Sequence, residues 1–252
     1  MQLVDAHCHL EADDFASRLP EVIREAAAVG VVHMVTAAVK PAQWSRARAI
    51  AAGHESVSFA LGVHPWFANT APLPAIMSMD TTGAVAVGEI GLDAAIETPS
   101  METQMALFEA QLAVARDHAL PVVIHCRRAF GELLHALKRA GTLPRGGVVH
   151  AFSGSAELVD ALAPRGFYFS MGRSLTYHRS RKRDTVLARV YPDRLLLETD
   201  SPDMPPTGLE RPNVPANLRH VLSGAAALLG EPEARIAEVT TANARRAYGL
   251  TP

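Results

Sequence analysis

Five short apolar runs in this chain each run out on a residue that can hold a cation. Leu3-Val4-Asp5-Ala6 leads into His7 and His9, and Ala84-Val85-Ala86-Val87-Gly88 into Glu89. Pro121-Val122-Val123-Ile124 leads into His125, Gly147-Val148-Val149 into His150, and Leu195-Leu196-Leu197-Glu198-Thr199 into Asp200. The His7-Cys8-His9 triplet alone is weak evidence, although two imidazoles two residues apart on a strand share one face. Repetition is what constrains the fold. Six candidate ligands can meet only if the C-terminal ends of these strands come to one place.

Three further runs, Val31–Thr36, Val57–Leu61 and Phe167–Met171, bring the strand candidates to eight. Their Val, Leu and aromatic content suits strands buried on both faces. Between them lie segments of helical spacing with helix punctuation. Pro20 to Val29 stops at Gly30, Pro41 to Ala52 at Gly53, Ala129 to Ala140 at Gly141, and Ser155 to Arg165 at Gly166. Met101 to Ala119 carries Met105, Leu107, Phe108, Leu112 and Val114, compatible with a helix covering a sheet. Strand and helix alternating over 252 residues is the pattern of a TIM (β/α)8 barrel, here expected as a single domain over residues 1–252. The active site of such a barrel sits at the C-terminal ends of its strands, where every candidate ligand falls.

Charge narrows the function. Lys and Arg number 24 against 26 Asp and Glu, which argues against coating long nucleic acid but not against gripping one or two phosphates. The dense basic run His178-Arg179-Ser180-Arg181-Lys182-Arg183 follows the seventh strand and is expected near the barrel mouth. The first strand begins within a few residues of Met1 with no leader-like segment before it. A cytoplasmic protein without a membrane span, acting as a monomer, is therefore the expectation. Cys8 and Cys126 each adjoin a candidate ligand, so both are expected as free thiols on the opposite strand face.

In a closed barrel strands one and eight are neighbours, which groups His7, His9 and Asp200. Strands five and six group His125 and His150, and Glu89 on strand four can reach both groups. Two divalent metal ions about 3.5 to 4 Å apart and sharing that carboxylate would lower the pKa of water enough to give a nucleophile near neutral pH. The other histidines, His33, His54, His118, His135 and His220, lie inside strands or on helices, away from a ligand's position.

Six stretches in order carry a resemblance: Asp5-Ala6-His7-Cys8-His9-Leu10, Gly62-Val63-His64-Pro65, Gly88-Glu89-Ile90-Gly91-Leu92-Asp93, Ile124-His125-Cys126-Arg127, His150-Ala151-Phe152-Ser153-Gly154-Ser155 and Glu198-Thr199-Asp200-Ser201-Pro202. Together they resemble the TatD family of metal-dependent hydrolases from Val4 to about Pro215. Asp200 to Pro205 looks more like the YjjV branch. The resemblance implies a TIM barrel with two divalent cations, His7, His9 and Asp200 on one, His125 and His150 on the other, and Glu89 bridging. Several family members are described as DNases, including 3′ to 5′ exonucleases. The chain departs from the family at Ala151, at Ala94 and Ala95, and in Arg211-Pro212-Asn213-Val214-Pro215, of which the last two can reshape the substrate rim.

The expected activity is therefore cleavage of phosphodiester bonds at DNA or RNA ends, with Mg, Mn or Zn as the metal and an activated hydroxide as nucleophile. Asp200 takes the nucleophile's proton, while His64 and Arg127 offset charge growing on the phosphoryl oxygens. A guanidinium suits phosphate because its planar fork donates two parallel hydrogen bonds. Ser153 is read either as a phosphate donor or as a helix cap. Trp66 and Phe67 are read either as a stacking surface for a base or as residues buried under their loop, with burial expected. Two other functions stay open. Related metal barrels run amide and lactone chemistry, often with a bridging carbamylated lysine, but none of Lys40, Lys138 and Lys182 ends strand four. An accessory protein of a larger assembly is the third, disfavoured by the intact ligand set.

Overall fold

The computed structural model describes residues 1–177 and 180–251, and in it the eight expected strands form one parallel sheet in chain order. They are β1 (Leu3–Cys8), β2 (Val31–Ala38), β3 (Val57–Leu61), β4 (Ala86–Asp93), β5 (Val122–Arg127), β6 (Gly147–Val149), β7 (Phe167–Met171) and β8 (Leu195–Leu197). β1 and β8 meet beyond the ladder. His7 O accepts from Asp200 N at 3.0 Å and Ser201 O accepts from His9 N at 2.7 Å, so the backbone that closes the barrel is the backbone that carries three candidate ligands. The architecture is the TIM barrel expected.

Helices α1 (Leu19–Ala28), α2 (Pro41–Gly53), α3 (Leu73–Met77), α4 (Met101–Asp117), α5 (Phe130–Ala140), α6 (Ala156–Leu162), α7 (Arg181–Val190), α8 (Leu218–Leu229) and α9 (Glu233–Tyr248) follow the strands. Local chemistry sets their ends. Pro41 opens α2, Ser100 accepts from Thr103 N at the start of α4, and Ser180 accepts from Arg183 N at the start of α7. α2 runs through Gly53 rather than stopping before it. His178 and Arg179 of the basic run lie outside the described residues. Among the described residues no helix is long and apolar enough to cross a membrane.

Two apolar layers separate the faces of the strands. Val4, Ala6, Val35, Ala37, Ala60, Ala86, Val123, Val148 and Leu196 come from seven strands and cluster with Ala244, Ala247 and Tyr248 of α9, which places them in the lumen with α9 under its floor. Leu3, Met34, Val87, Val122, Ile124 and Leu197 belong to the outer layer against the helices. The period of two then positions half of the expected ligands without further help. Val123 is followed on the lumen side by His125, Val148 by His150, and Leu196 by Glu198 and Asp200.

β1 and β4 break that parity. In β1 the even residues Val4 and Ala6 face the lumen, yet the even residues Cys8 and Leu10 lie in the outer layer. In β4 Ala86 faces the lumen, yet Ile90 and Leu92 lie outside. Each change coincides with a register irregularity, between Asp5 and Cys8 in β1 and between Val87 and Ile90 in β4. Such irregularities re-aim side chains beside active sites. Here they turn His7, His9 and Glu89 toward the mouth and Cys8 into the outer layer, where plain alternation in β5 also places Cys126, and both are free buried thiols.

β4 also approaches β5 unusually closely. Gly91 sits at φ +144°, and a Cβ there would stand 1.9 Å from the carbonyl oxygen of His125. Gly91→Ala is expected to cost about 2 kcal/mol or more of unfolding free energy, since both the backbone region and the contact are closed to a side chain. The check is the urea midpoint, and an unchanged midpoint would show that the strands do not need this approach.

Candidate active site

Glu89 is 2% exposed and its two oxygens face different partners. Oε2 stands 3.4 Å from His7 Nε2 and 3.6 Å from His9 Nε2. Oε1 stands 2.8 Å from His150 Nε2, 3.2 Å from His125 Nδ1 and 3.3 Å from His64 Nε2. Asp200 Oδ1 completes the first group, 3.4 Å from His7 Nε2 and 3.3 Å from His9 Nε2. All six residues expected as ligands therefore meet at the mouth, and His64 joins them. His64 was expected beside the reacting phosphate from its Gly-x-His-Pro turn, and its contact with Glu89 brings it there.

The hydrogen bonds assign the tautomer that each ring takes when neutral, and it suits a cation. His9 Nδ1 lies 2.7 Å from the carbonyl oxygen of Ala37, which makes it the N–H donor and leaves Nε2 bare toward Glu89 and Asp200. His125 Nε2 lies 3.4 Å from Asp93 Oδ2, leaving Nδ1 bare toward Glu89. Both ring nitrogens of fully buried His7 lack a well-formed hydrogen bond, an expensive arrangement unless something else satisfies them. Ligand atoms about 2.0 to 2.2 Å from a cation stand roughly 3 to 3.5 Å apart, close to the separations found here. His64 differs: its Nδ1 accepts from Trp66 N at 3.2 Å, so Nε2 carries the proton and donates toward Glu89.

Without an ion these groups hold one another's protons. Burial pushes His7 down, but Asp200 and Glu89 outweigh it and raise the imidazole to about 10. Burial is likewise outweighed at His125, which Asp93 and Glu89 raise to about 9. His150 is lowered to about 4 by burial and by the neighbouring His7. Burial holds His64 below its usual value and so neutral. Burial would raise Glu89 and Asp200, but the surrounding imidazoles hold both carboxylates well below their usual range.

Four buried acids behind this set escaped the sequence reading as functional residues. Asp5 accepts from Thr199 N at 2.9 Å and from its hydroxyl, clamping β1 to the segment that carries Asp200, and burial lifts its carboxyl to about 7. Glu11 accepts from Thr36 Oγ1 and lies 3.6 Å from His9 Nδ1. Asp93 takes His125, as above, and Glu198 accepts from Ala151 N at 2.7 Å and from the Ser170 hydroxyl. Burial raises Glu198 to about 8. A charged residue inside an apolar run was the available signal for Asp5 and Glu198. Asn213 is also buried, and its amide donates to Thr199 O at 2.8 Å and Asp203 O at 2.9 Å, bracing the turn around Asp200.

The rim is set by loops. Arg127 ends β5 with a side chain 55% exposed, its Nη1 4.0 Å from Asp93 Oδ2. Ser153 is not the cap of α6, a position held by Ser155, and its carbonyl accepts from Lys182 Nζ at 2.7 Å. Trp66 corrects the expectation of burial. It is 51% exposed, because its indole N–H donates to Asp93 Oδ2 at 2.7 Å and holds the ring at the mouth instead of folding it under the loop. Phe67 is half-buried, with Lys40 Nζ 5.3 Å from its ring centroid.

Known proteins share this arrangement of chain and fold. The family described as TatD related DNase matches residues 4–249. The uncharacterized metal-dependent hydrolase YjjV of Escherichia coli K12 is 34% identical over 249 residues, 96% of each chain. The crystal structure of that TatD homolog matches with a TM-score of 0.92, covering 99% of this chain and 98% of the other at 33% identity. The 3′-5′ ssDNA/RNA exonuclease TatD of Erwinia tasmaniensis is 30% identical over 260 residues, 98% of this chain and 100% of that one.

The raised imidazoles predict a proton signature for metal binding. His7 and His125 are protonated at pH 7 in the ion-free protein, and only neutral imidazole ligates, so binding must release protons and tighten as pH rises from 6 toward 9. Titration calorimetry of Zn or Mn in buffers of different ionisation enthalpy measures the release. Binding with no net proton release would contradict the ligand assignment.

Proposed function

The chain belongs to the TatD-related DNase family of metal-dependent hydrolases, and from that premise we propose that it cleaves phosphodiester bonds at DNA or RNA ends as a 3′ to 5′ exonuclease. The partition of Glu89 carries the reading: one oxygen toward His7 and His9, the other toward His125 and His150, the disposition of a carboxylate shared by two cations. The exonuclease named in Erwinia tasmaniensis supports nucleic acid as the substrate.

His7, His9 and Asp200 would hold one divalent ion, His125 and His150 the other, with Glu89 between them. Such a pair supplies Lewis acidity toward the phosphoryl oxygens and lowers the pKa of water. Imidazole and carboxylate donors together suit Zn or Mn better than Mg by softness.

The protein's own groups divide the remaining work. Glu89 is sealed beneath the mouth and serves as a fixed negative charge. Asp200, ionised and with a side chain 15% exposed, is the carboxylate open to the mouth and accepts the proton of the attacking water. His64 offers a neutral N–H rather than a charge, oriented by its bond from Trp66 N. Arg127 extends from β5 beside Asp93 and supplies the guanidinium for the phosphate.

The test strips the protein with chelator, restores Mg, Mn or Zn in turn, and follows 3′-labelled and 5′-labelled single-stranded DNA and RNA. Stepwise loss of nucleotides from the 3′ end is expected. Asp200→Asn should lower the rate about 10²- to 10⁴-fold with the fold intact by circular dichroism. Intact DNA and RNA in the presence of a metal-loaded chain would overturn the reading and direct attention to amides and lactones. Arg127→Ala is expected to raise KM for oligonucleotides several-fold, and an unchanged KM would remove it from phosphate binding.

A further inference from the structure

Resting on the nuclease reading above, we propose that Trp66 is the stacking platform for the nucleobase next to the scissile phosphate, held in place by Asp93 and paired with Arg127 for the phosphate. The fold treats this indole unlike an ordinary surface aromatic. Its N–H is fixed on Asp93 Oδ2 at 2.7 Å, and the ring stands edge-on to His64, 4.9 Å between centroids at 82°. Half of its surface is nevertheless open, at 51%. Large aromatic faces are normally withdrawn from water, so a ring locked by a buried carboxylate and still exposed is a built surface.

Position supplies the second argument. The Trp66 centroid is 6.4 Å from that of His125, a distance that one sugar spans between a base and its phosphate. Asp93 is itself immobile: fully buried, its N bonded to Gln104 Oε1 at 2.8 Å, with its Oδ1 accepting from Ala95 N at 2.8 Å. The same Asp93 Oδ2 faces His125 at 3.4 Å and Arg127 Nη1 at 4.0 Å. One carboxylate thus sets the relative positions of a ring for a base, a guanidinium for a phosphate and an imidazole of the hydrolytic centre. Stacking of this kind accepts every base, because every base has a π face, and so suits an enzyme that removes nucleotides in sequence.

The experiment compares a short oligothymidine with the same strand bearing an abasic 3′ nucleotide, both closed by a 3′ phosphorothioate linkage for binding and unmodified for kinetics. Wild-type, metal-loaded protein is expected to bind the base-bearing end about tenfold more tightly. Trp66→Ala should bring that ratio close to one, through KM rather than kcat. Trp66→Phe, which keeps a ring and loses the bond to Asp93, should retain most of it. The base-bearing strand should quench tryptophan fluorescence in the wild type and not in Trp66→Phe, since Trp44, on α2, is tied to Gly62 O and packs half-buried against the core. Equal binding of the two strands by the wild type, or equal losses on both in Trp66→Ala, would overturn the proposal while leaving the nuclease reading intact. Absence of both binding and cleavage for every oligonucleotide would overturn the two together.

Discussion

One carboxylate, Glu89, faces five imidazoles, and the mouth of the barrel is arranged around that fact. Burying a carboxylate costs several kcal/mol unless charge or hydrogen bonds compensate it. Compensation by protonated histidines alone would crowd several positive charges into one small space, where each disfavours the next. His150, lowered by burial and by His7, shows that limit directly. Divalent cations bound here, as proposed, would remove the conflict, because they would supply positive charge and leave every imidazole neutral. The electrostatics of the candidate ligand set thus favour cations independently of the proposed chemistry. The buried acids behind it, Asp5, Glu11, Asp93 and Glu198, fix ring orientation and backbone.

Holding Glu89 there requires strands whose lumen-facing residues change parity. In β5, β6 and β8 simple alternation carries an apolar lumen residue into a ligand two or four positions later, and those ligands could be read directly from the sequence. β1 and β4 do not alternate through. Their irregularities shift the lumen face from even to odd residues before His7, His9 and Glu89 are reached. Nothing in the composition of Leu3–Cys8 or Ala86–Asp93 announces such a shift, since a slip of one residue leaves the run equally apolar. The ligands of β1 and β4 were recognisable through their chemistry and motifs, while the geometry that delivers them was not. Trp66 failed for a different reason. Its exposure depends on a hydrogen bond to Asp93, 27 positions later, and no local pattern reports a bond of that range.

The closure of the barrel joins stability to the site in the same way. β8 ends at Leu197, and the seam to β1 is carried onward by the backbone of His7, His9, Asp200 and Ser201 and by the Asp5 carboxylate on Thr199. The candidate ligands His7, His9 and Asp200 are therefore also groups whose separation would open the barrel. Asn213 extends the clamp, tying Thr199 to Asp203 across the turn that presents Asp200. The Arg211–Pro215 stretch thus bears, through Asn213, on the placement of Asp200.

The rim obeys different physics from the floor. The chain carries a net charge of only −2, so its overall field does not draw a polyanion. Cations nevertheless gather at the end of the barrel where the ligands lie: Lys40 follows β2, Arg127 ends β5, Arg173 follows β7, and Lys182 reaches the carbonyl of Ser153 after β6. Such local asymmetry, rather than net charge, determines what an approaching anion meets, and it acts within about 8 to 10 Å at ordinary ionic strength. Beyond that range a nucleic acid is neither attracted nor held along its length. The proposed recognition of a strand end is in keeping with this distribution, and with a site whose ring, guanidinium and candidate hydrolytic centre are all referred to the single carboxylate of Asp93.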